Sequence, residues 1–211
     1  MPYRIGFDLD GVLALTPEAI YPLAHERGWL LDRAHDEQTA HNLEDAFPHG
    51  IAYEQVQALF EDDFFLDIPP CGWLTKTFRN LHARGHEIHI VTARKKQTSE
   101  TTRAWLLAHN LHPDSLTFTD AEHKADLAVR LKLDFFIEDH PETALACAKA
   151  RIPTFLIHTS YRQQNITHKS LATVHPQSLP LWCLYRASLS ALLIKENYAP
   201  LLASLLDEPS C

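Results

Sequence analysis

The chain has 211 residues, four cysteines and a formal net charge of −8 at pH 7. This length is enough for one hydrophobic core with a smaller appended domain. The negative charge argues against nucleic acid polymers and anionic membranes as partners, although a small anionic substrate is allowed because one metal ion reverses the local field. The scattered cysteines predict reduced thiols, and we find neither a basic leader nor an unbroken membrane-length apolar run. We therefore expect a cytoplasmic protein.

Short apolar segments that end in polar residues recur along the chain. They are YRIGFDLD (3–10), HEIHIVTAR (86–94), SLTFTD (115–120), LDFFIEDH (133–140) and PTFLIHT (153–159). Helical patterns lie between them, at residues 72–84, 97–109, 122–132 and 141–150. Strands that alternate with short helices in this way predict an α/β fold, a Rossmann-like parallel sheet flanked by helices.

One long segment, residues 15–70, interrupts this alternation. It begins with Thr16 and Pro17, an N-cap followed by proline at the first helical position, and it continues with apolar residues at helical spacing. We predict a small helical cap inserted after the first strand, over the carboxyl ends of the strands where such sheets bind ligands. The α/β core then comprises residues 1–14 and 71–180.

The last segment, residues 181–211, differs from the core and predicts two helices divided near Pro200. Its apolar residues fall on one broad helical face: Leu181, Leu184, Tyr185, Leu189, Leu192 and Leu193. We interpret the segment as a C-terminal helical extension that packs against the core. A homodimer surface is the alternative.

Two carboxylates follow the first strand, in the segment GFDLDGVLALT. Side chains alternate along a strand, so Asp8 and Asp10 are expected to point to the same side and Leu9 to the other. Two carboxylates so placed repel each other, and a divalent cation would remove the conflict. Gly11 allows a sharp turn and a close backbone approach. Such a pair also occurs in solvated turns and in glycosyltransferases, so the other strand ends decide its meaning.

Those strand ends carry a hydroxyl, a cation and a second acidic pair. Thr92 ends the second strand, and Lys124 lies near a helix start, where the helix dipole does not favour a lysine. Glu138 and Asp139 follow another apolar strand. Together with the first acidic pair they would supply a nucleophile, metal ligands and phosphate-binding groups on one rim, which is the set that phosphoryl transfer needs.

This set of motifs resembles the haloacid dehalogenase superfamily of phosphohydrolases. The motifs occur in the same order as in that superfamily: Asp8 with Asp10, then Thr92, then Lys124, then Glu138 with Asp139. Residues 69–95 and 133–144 are similar to the 5'(3')-deoxyribonucleotidase-like branch, which carries its cap between the first two motifs. Cys71, Gly72 and Trp73 stand where that branch usually has Gly-Ala.

The resemblance implies a reaction through a covalent intermediate. Asp8 would attack phosphorus and become an aspartyl phosphate, while Asp10 would protonate the leaving oxygen and then take a proton from the hydrolytic water. Mg²⁺ would be held by the Asp8 carboxylate, the Asp10 backbone carbonyl and a carboxylate of the last motif. For that last ligand we choose Asp139, the second acid of the pair.

The resemblance also implies roles for the other three residues. Thr92 and Lys124 would neutralise the phosphoryl oxygens. Adjacent side chains at a strand end point in different directions, so Glu138 and Asp139 are not expected to be equivalent metal ligands. We expect Glu138 to orient Lys124 or a metal-bound water.

The implied substrate is a nucleoside monophosphate. Cap aromatics such as Phe47 could stack on a base, but they suit the interior of the cap equally well, and then a sugar phosphate or another small phosphomonoester is the alternative. A signalling receiver domain uses similar groups in a different order along the chain. A non-catalytic binding protein is the remaining alternative, although every reacting position is filled.

Overall fold

The computed structural model describes residues 2–26, 64–158 and 181–185. The strands in these ranges are β1 (Arg4–Phe7), β2 (Glu87–Thr92), β3 (Ser115–Phe118), β4 (Phe135–Glu138), β5 (Thr154–His158) and β6 (Leu181–Tyr185). They form one six-stranded sheet in the order β3-β2-β1-β4-β5-β6, and every neighbouring pair is parallel. The predicted Rossmann-like parallel sheet is confirmed.

Helices connect the strands close to the predicted ranges. They are α1 (Thr16–Glu26), α2 (Phe64–Asp67), α3 (Gly72–Ala83), α4 (Ser99–Ala108), α5 (Lys124–Arg130) and α6 (Pro141–Lys149). Gly85, with a φ of 83°, follows the end of α3, and Pro141 lies in the first turn of α6, as helix-boundary signals predict. Within the described ranges, no helix combines the length and the hydropathy needed to cross a membrane.

The sheet is buried on both faces, because apolar side chains from the same strands enter two different clusters. On one face Phe7 and Ile137 pack with Phe78 of α3 and Trp105 of α4. On the other face Phe136 packs with residues of α5 and α6. A Cβ atom at Gly6 would lie 2.4 Å from the Phe136 ring, so glycine in β1 allows that ring to cross the strand.

The chain leaves and re-enters the core at adjacent positions, where the two ends of the predicted cap pair with each other. The Leu15 N–H donates to the Pro69 carbonyl at 2.9 Å, and the Cys71 N–H donates to the Leu13 carbonyl at 2.7 Å. The cap therefore starts and ends beside the loop that follows β1. Residues 27–63, which include Phe47, lie outside the described residues.

The structure corrects one part of the predicted C-terminal extension. Residues 181–185 form β6, which pairs in parallel with β5, where the sequence predicted the start of a helix. A short run of apolar residues fits a buried strand as well as a helix, and pairing with a long-range partner decides between them. The core sheet therefore continues past residue 180. The rest of the extension, with its predicted homodimer surface, lies outside the described residues.

Candidate active site

The predicted site residues lie where β1, β2 and β4 end. Asp8 directly follows β1, Thr92 is the last residue of β2, and Glu138 is the last residue of β4. Since β1 lies between β2 and β4 and all three run in parallel, their carboxyl ends meet at one edge of the sheet. Lys124, the first residue of α5, also reaches this edge.

A buried lysine joins the first and last acidic motifs. Lys124 Nζ lies 2.8 Å from Asp8 Oδ2 and 3.0 Å from Glu138 Oε2, and all three side chains are buried. Burial alone would lower the pKa of Lys124, but the two carboxylates outweigh it and raise that pKa. The ammonium group therefore stays charged between two acids.

The same cluster makes Asp8 a weaker acid than an ordinary aspartate. Burial, with the negative charge of Glu138 beside it, raises the pKa of Asp8 to about 8, although Lys124 acts in the opposite direction. One ammonium group between two carboxylates leaves the cluster with excess negative charge. A further cation at this cluster would favour the ionised form of Asp8.

Glu138 has partners on both carboxylate oxygens. Its Oε2 accepts from Lys124, and its Oε1 accepts from the backbone N–H groups of Asp139 at 3.1 Å and His140 at 3.0 Å. These bonds fix the turn that leads from β4 into α6, and they fix the lysine at the same time.

Asp8, Glu138 and Asp139 form a donor set that fits a divalent cation. One carboxylate oxygen from each lies within 4.8 Å of the others, and all three side chains are buried. Oxygen donors of this type suit hard cations such as Mg²⁺. Gly11 leaves room for the Asp139 carboxylate, because a Cβ atom at this position would lie 2.0 Å from Asp139 Oδ2. Its φ of 77° also favours glycine.

Asp10 has a different cation as its partner. The Arg94 guanidinium donates to both of its oxygens, from Nε to Oδ2 at 2.8 Å and from Nη2 to Oδ1 at 2.7 Å, and the Thr16 hydroxyl donates to Oδ1 as well. Burial would raise the pKa of Asp10, but Arg94 and Thr16 outweigh it and hold that pKa below its ordinary value. The two aspartates of the first motif therefore have separate cationic partners.

Sequence reasoning missed these partners of Asp10. Strand alternation does not orient the acidic pair, because β1 ends at Phe7 and the following residues form a turn. Thr16, predicted only as a helix N-cap, begins α1 and binds Asp10. One signal for Arg94 was available in the sequence: it lies two residues after the end of an apolar strand. An arginine buried at such a place requires an acidic partner.

Thr92 lies at this edge with its side chain buried. Its hydroxyl oxygen accepts the backbone N–H of Arg94 at 3.2 Å, which holds the turn after β2. The same residue thus ends the strand next to β1 and shapes the segment that carries the partner of Asp10.

Comparison with known proteins agrees with this geometry. Residues 2–172 match the family described as 5' nucleotidase, deoxy (pyrimidine), cytosolic type C protein (NT5C). A candidate nucleotidase from Bacillus cereus is 25% identical over 170 residues, which cover 76% of this chain and 88% of that protein. Another, from Oceanobacillus iheyensis, is 28% identical over 182 residues, which cover 81% and 93%.

The fold also resembles solved structures. A phosphonoacetaldehyde hydrolase-like protein from Oleispira antarctica aligns with 97% of this chain and 93% of its own, with a TM-score of 0.57 and 11% identity. At that identity the likeness concerns the fold alone. The family match covers most of the chain and includes the whole of the site just described. The chain therefore belongs to this nucleotidase family of the haloacid dehalogenase superfamily, and it is a hydrolase of phosphoric monoesters.

Proposed function

We propose that this protein is a Mg²⁺-dependent phosphatase that hydrolyses nucleoside monophosphates through an aspartyl phosphate on Asp8. The observation that carries the proposal is the contact between buried Asp8 and Lys124, 2.8 Å apart, next to the oxygen donors of Asp139. A nucleophilic carboxylate, a fixed cation and a metal-binding donor set are what phosphoryl transfer by covalent catalysis requires.

The metal would be held by the carboxylates of Asp8 and Asp139 and by the backbone carbonyl of Asp10. When bound, Mg²⁺ supplies positive charge that favours the ionised nucleophile and neutralises the phosphoryl group. This charge matters for Asp8 in particular, because its pKa of about 8 leaves much of it protonated at neutral pH and a protonated carboxyl group is not a nucleophile.

In the first step, a carboxylate oxygen of Asp8 forms a bond to phosphorus and the bond from phosphorus to the ester oxygen breaks. The negative charge of the bound substrate would oppose the effect of Arg94 and favour the protonated form of Asp10, whose carboxyl group gives its proton to that leaving oxygen. In the second step, the Asp10 carboxylate takes a proton from water, and the water oxygen displaces Asp8 from phosphorus. Inorganic phosphate is released and Asp8 returns to its carboxylate form.

Lys124 and Thr92 would neutralise and orient the phosphoryl oxygens in both steps. Lys124 retains Glu138 as a partner when Asp8 becomes an acyl phosphate, so its position does not depend on the charge of the nucleophile. Both oxygens of Glu138 have partners, which supports an orienting role for Glu138, and we assign the metal-ligand role to Asp139.

The nucleotide assignment is supported by the family match and by relatives named as candidate nucleotidases. A sugar phosphate or another small phosphomonoester would use the same chemistry with a different cap surface. Phosphate release should be measured with Mg²⁺ over nucleoside 5'- and 3'-monophosphates, hexose phosphates and triose phosphates. We expect the highest kcat/KM with a nucleotide; a sugar phosphate that exceeds every nucleotide would contradict the substrate class but not the chemistry.

The covalent step has its own test. Acid quenching during turnover of a ³²P-labelled substrate should leave label on the protein, and borohydride reduction should then place the modification at residue 8. The Asp8→Asn variant, which has nearly the same shape, is the matched control and should carry no label. Label at another residue, or full turnover without label in wild type, would contradict the proposed intermediate.

A further inference from the structure

Arg94 is a buried arginine whose donors point into the site. It follows β2 by two residues and is 8% exposed, although arginine is rarely buried without a specific partner. Its Nε and Nη2 atoms bind the two oxygens of Asp10, and its Nη1 donates to the Thr102 hydroxyl of α4 at 3.3 Å. Each nitrogen of the guanidinium thus has a polar partner.

The face of the guanidinium is also occupied. The Arg94 Cζ atom lies 3.9 Å from the centre of the Phe65 ring, a distance typical of a cation–π contact. Phe65 belongs to α2, where the chain returns from the predicted cap to the core. With its edges on Asp10 and Thr102 and its face on Phe65, Arg94 has no freedom to bind a phosphoryl group as well.

Asp10, by contrast, keeps part of its side chain accessible. Its side chain is 31% exposed, whereas that of Arg94 is 3% exposed. Two parallel bonds from a planar guanidinium set the orientation of a carboxylate far more narrowly than one bond does. Oδ1 accepts from both Arg94 and Thr16, whereas Oδ2 accepts from Arg94 Nε and retains a lone pair for another contact. The carboxylate is therefore held firmly on one side and open on the other.

We propose that Arg94 is a positioning residue for the acid/base step, which orients the Asp10 carboxylate toward the leaving oxygen and the hydrolytic water. This role rests on the function proposed above. It differs from that of Lys124, because Arg94 acts only through Asp10. A misplaced general acid loses much of its effect, and general acid–base catalysis contributes on the order of 10²–10⁴-fold in rate.

The test is a cycle of the variants Arg94→Gln, Asp10→Ala and the double variant, with kcat/KM measured at saturating Mg²⁺. We expect Arg94→Gln to lower kcat/KM for the best nucleotide by more than about tenfold in the wild-type background. In the Asp10→Ala background the same change should cost less than about twofold, because residues that act as a unit are not additive. Arg103→Gln, on the exposed face of α4, is the matched control and should leave kcat/KM unchanged.

The leaving group provides a second measurement. If Arg94 only stabilised the fold, the loss in kcat/KM would not depend on which leaving group the substrate carries. Nitrophenolate leaves without a proton, whereas a nucleoside alkoxide needs one, and kcat/KM reports the step in which the leaving group departs. Arg94→Gln should therefore lower kcat/KM much less with 4-nitrophenyl phosphate than with the nucleotide. Arg94→Lys keeps the charge without the planar pair of donors, and it should show the same difference between substrates with a smaller loss.

Three results would overturn this role for Arg94. They are equal losses on both substrates, additive losses in the cycle, and losses in Arg94→Gln and Arg94→Lys that follow only a lower unfolding temperature. Any of them would leave the proposed function intact, provided that wild type turns over and Asp8→Asn does not. If wild type hydrolyses no phosphomonoester at all, the proposed function falls and the role of Arg94 falls with it.

Discussion

The two sides of the loop after β1 show how neighbouring carboxylates acquire different chemistry. Asp8 shares one ammonium group, that of Lys124, with a second buried acid, Glu138, and its pKa is raised to about 8. Asp10, two residues later, has the guanidinium of Arg94 to itself, and its pKa is lowered. Asp8 is also the more deeply buried, with 7% of its side chain exposed against 31% for Asp10, so burial and the ratio of acids to bases around each carboxylate together account for this contrast.

The contrast also suggests a division of labour. Environments that push the pKa values of two carboxyl groups in opposite directions are typical of active sites where the two groups have different roles. Without metal and substrate the two shifts are opposite to those that a nucleophile and a general acid need, and in our proposal the charge of Mg²⁺ at Asp8 and that of the phosphoryl group at Asp10 reverse them. On the Asp8 side the missing positive charge is supplied by a metal in our proposal. On the Asp10 side the protein supplies that charge itself.

The largest expected effect comes from removing the charge of Asp8. Asp8→Asn keeps the shape of the side chain but removes its charge and nucleophilicity, and we expect turnover to fall by several orders of magnitude while the fold is retained. Steady-state kinetics with the best phosphomonoester, together with circular dichroism, measures both quantities. Activity above about a tenth of wild type in this variant would contradict the assignment of the nucleophile.

The next largest effect distinguishes the roles of Glu138 and Asp139, the two acids at the end of β4. Activity should require Mg²⁺ and disappear in EDTA, and Asp139→Ala should weaken the apparent Mg²⁺ affinity by more than about 100-fold. Glu138→Gln keeps the size of the side chain and should weaken it less, because the Glu138 oxygens already bind Lys124 and two backbone N–H groups. If a Mg²⁺ titration shows the larger change in Glu138→Gln, the roles of the two acids are reversed.

A third effect concerns stability and pH in the absence of metal. Because the pKa of Asp8 is higher in the folded protein than its ordinary value of 3.8, the folded state retains a proton that the unfolded state has lost. The contribution of Asp8 to the free energy of unfolding is therefore fully present below about pH 4 and decreases as the pH rises toward 8.

Asp8→Asn is the control for this pH dependence. In EDTA, the stability of wild type relative to Asp8→Asn should decrease between pH 5 and pH 8, as measured by urea denaturation of both proteins at each pH. Mg²⁺ should restore the stability of wild type at pH 8 and have little effect on the variant. A difference between the proteins that stays constant, or that grows in favour of wild type as the pH rises, would contradict the environment described for Asp8.

The Asp8 side of the site could be predicted from sequence because its geometry follows from local signals and topology. Apolar segments that end in Asp8, Thr92 and Glu138 predict parallel strands, and parallel strands bring their carboxyl ends together. The Asp10 side could not, because the pairing of Asp10 with Arg94 spans 84 residues and depends on how the turns after β1 and β2 face each other. No local pattern encodes such a pairing.

The misplaced helix at residues 181–185 has a related cause. A run of five apolar or aromatic residues carries no periodicity that separates a buried strand from a helix. The register with β5, from Thr154 opposite Leu181 to His158 opposite Tyr185, decides the structure there. Long-range partners thus determine both features that the sequence did not reveal.

The smallest expected effect tests whether Phe65, at the returning end of the predicted cap, helps Arg94 to hold Asp10 in position. Phe65→Leu keeps an apolar side chain in a buried position but removes the ring below the Arg94 guanidinium. We expect a loss of about 1–3 kcal/mol in the free energy of unfolding, from reduced packing and a lost cation–π contact. Since the two bonds from Arg94 to Asp10 do not involve the ring, kcat/KM should fall only a few-fold.

The control for this change is Phe78→Leu on α3. Phe78 is equally buried and contacts Phe7 in the core, with ring centres 5.5 Å apart. It should lower stability by a similar amount without the few-fold loss in kcat/KM, because its ring contacts the core rather than Arg94. An effect of Phe65→Leu on kcat/KM as large as that of Arg94→Gln would show that the ring, and with it the returning end of the cap, holds Asp10 as firmly as the guanidinium does.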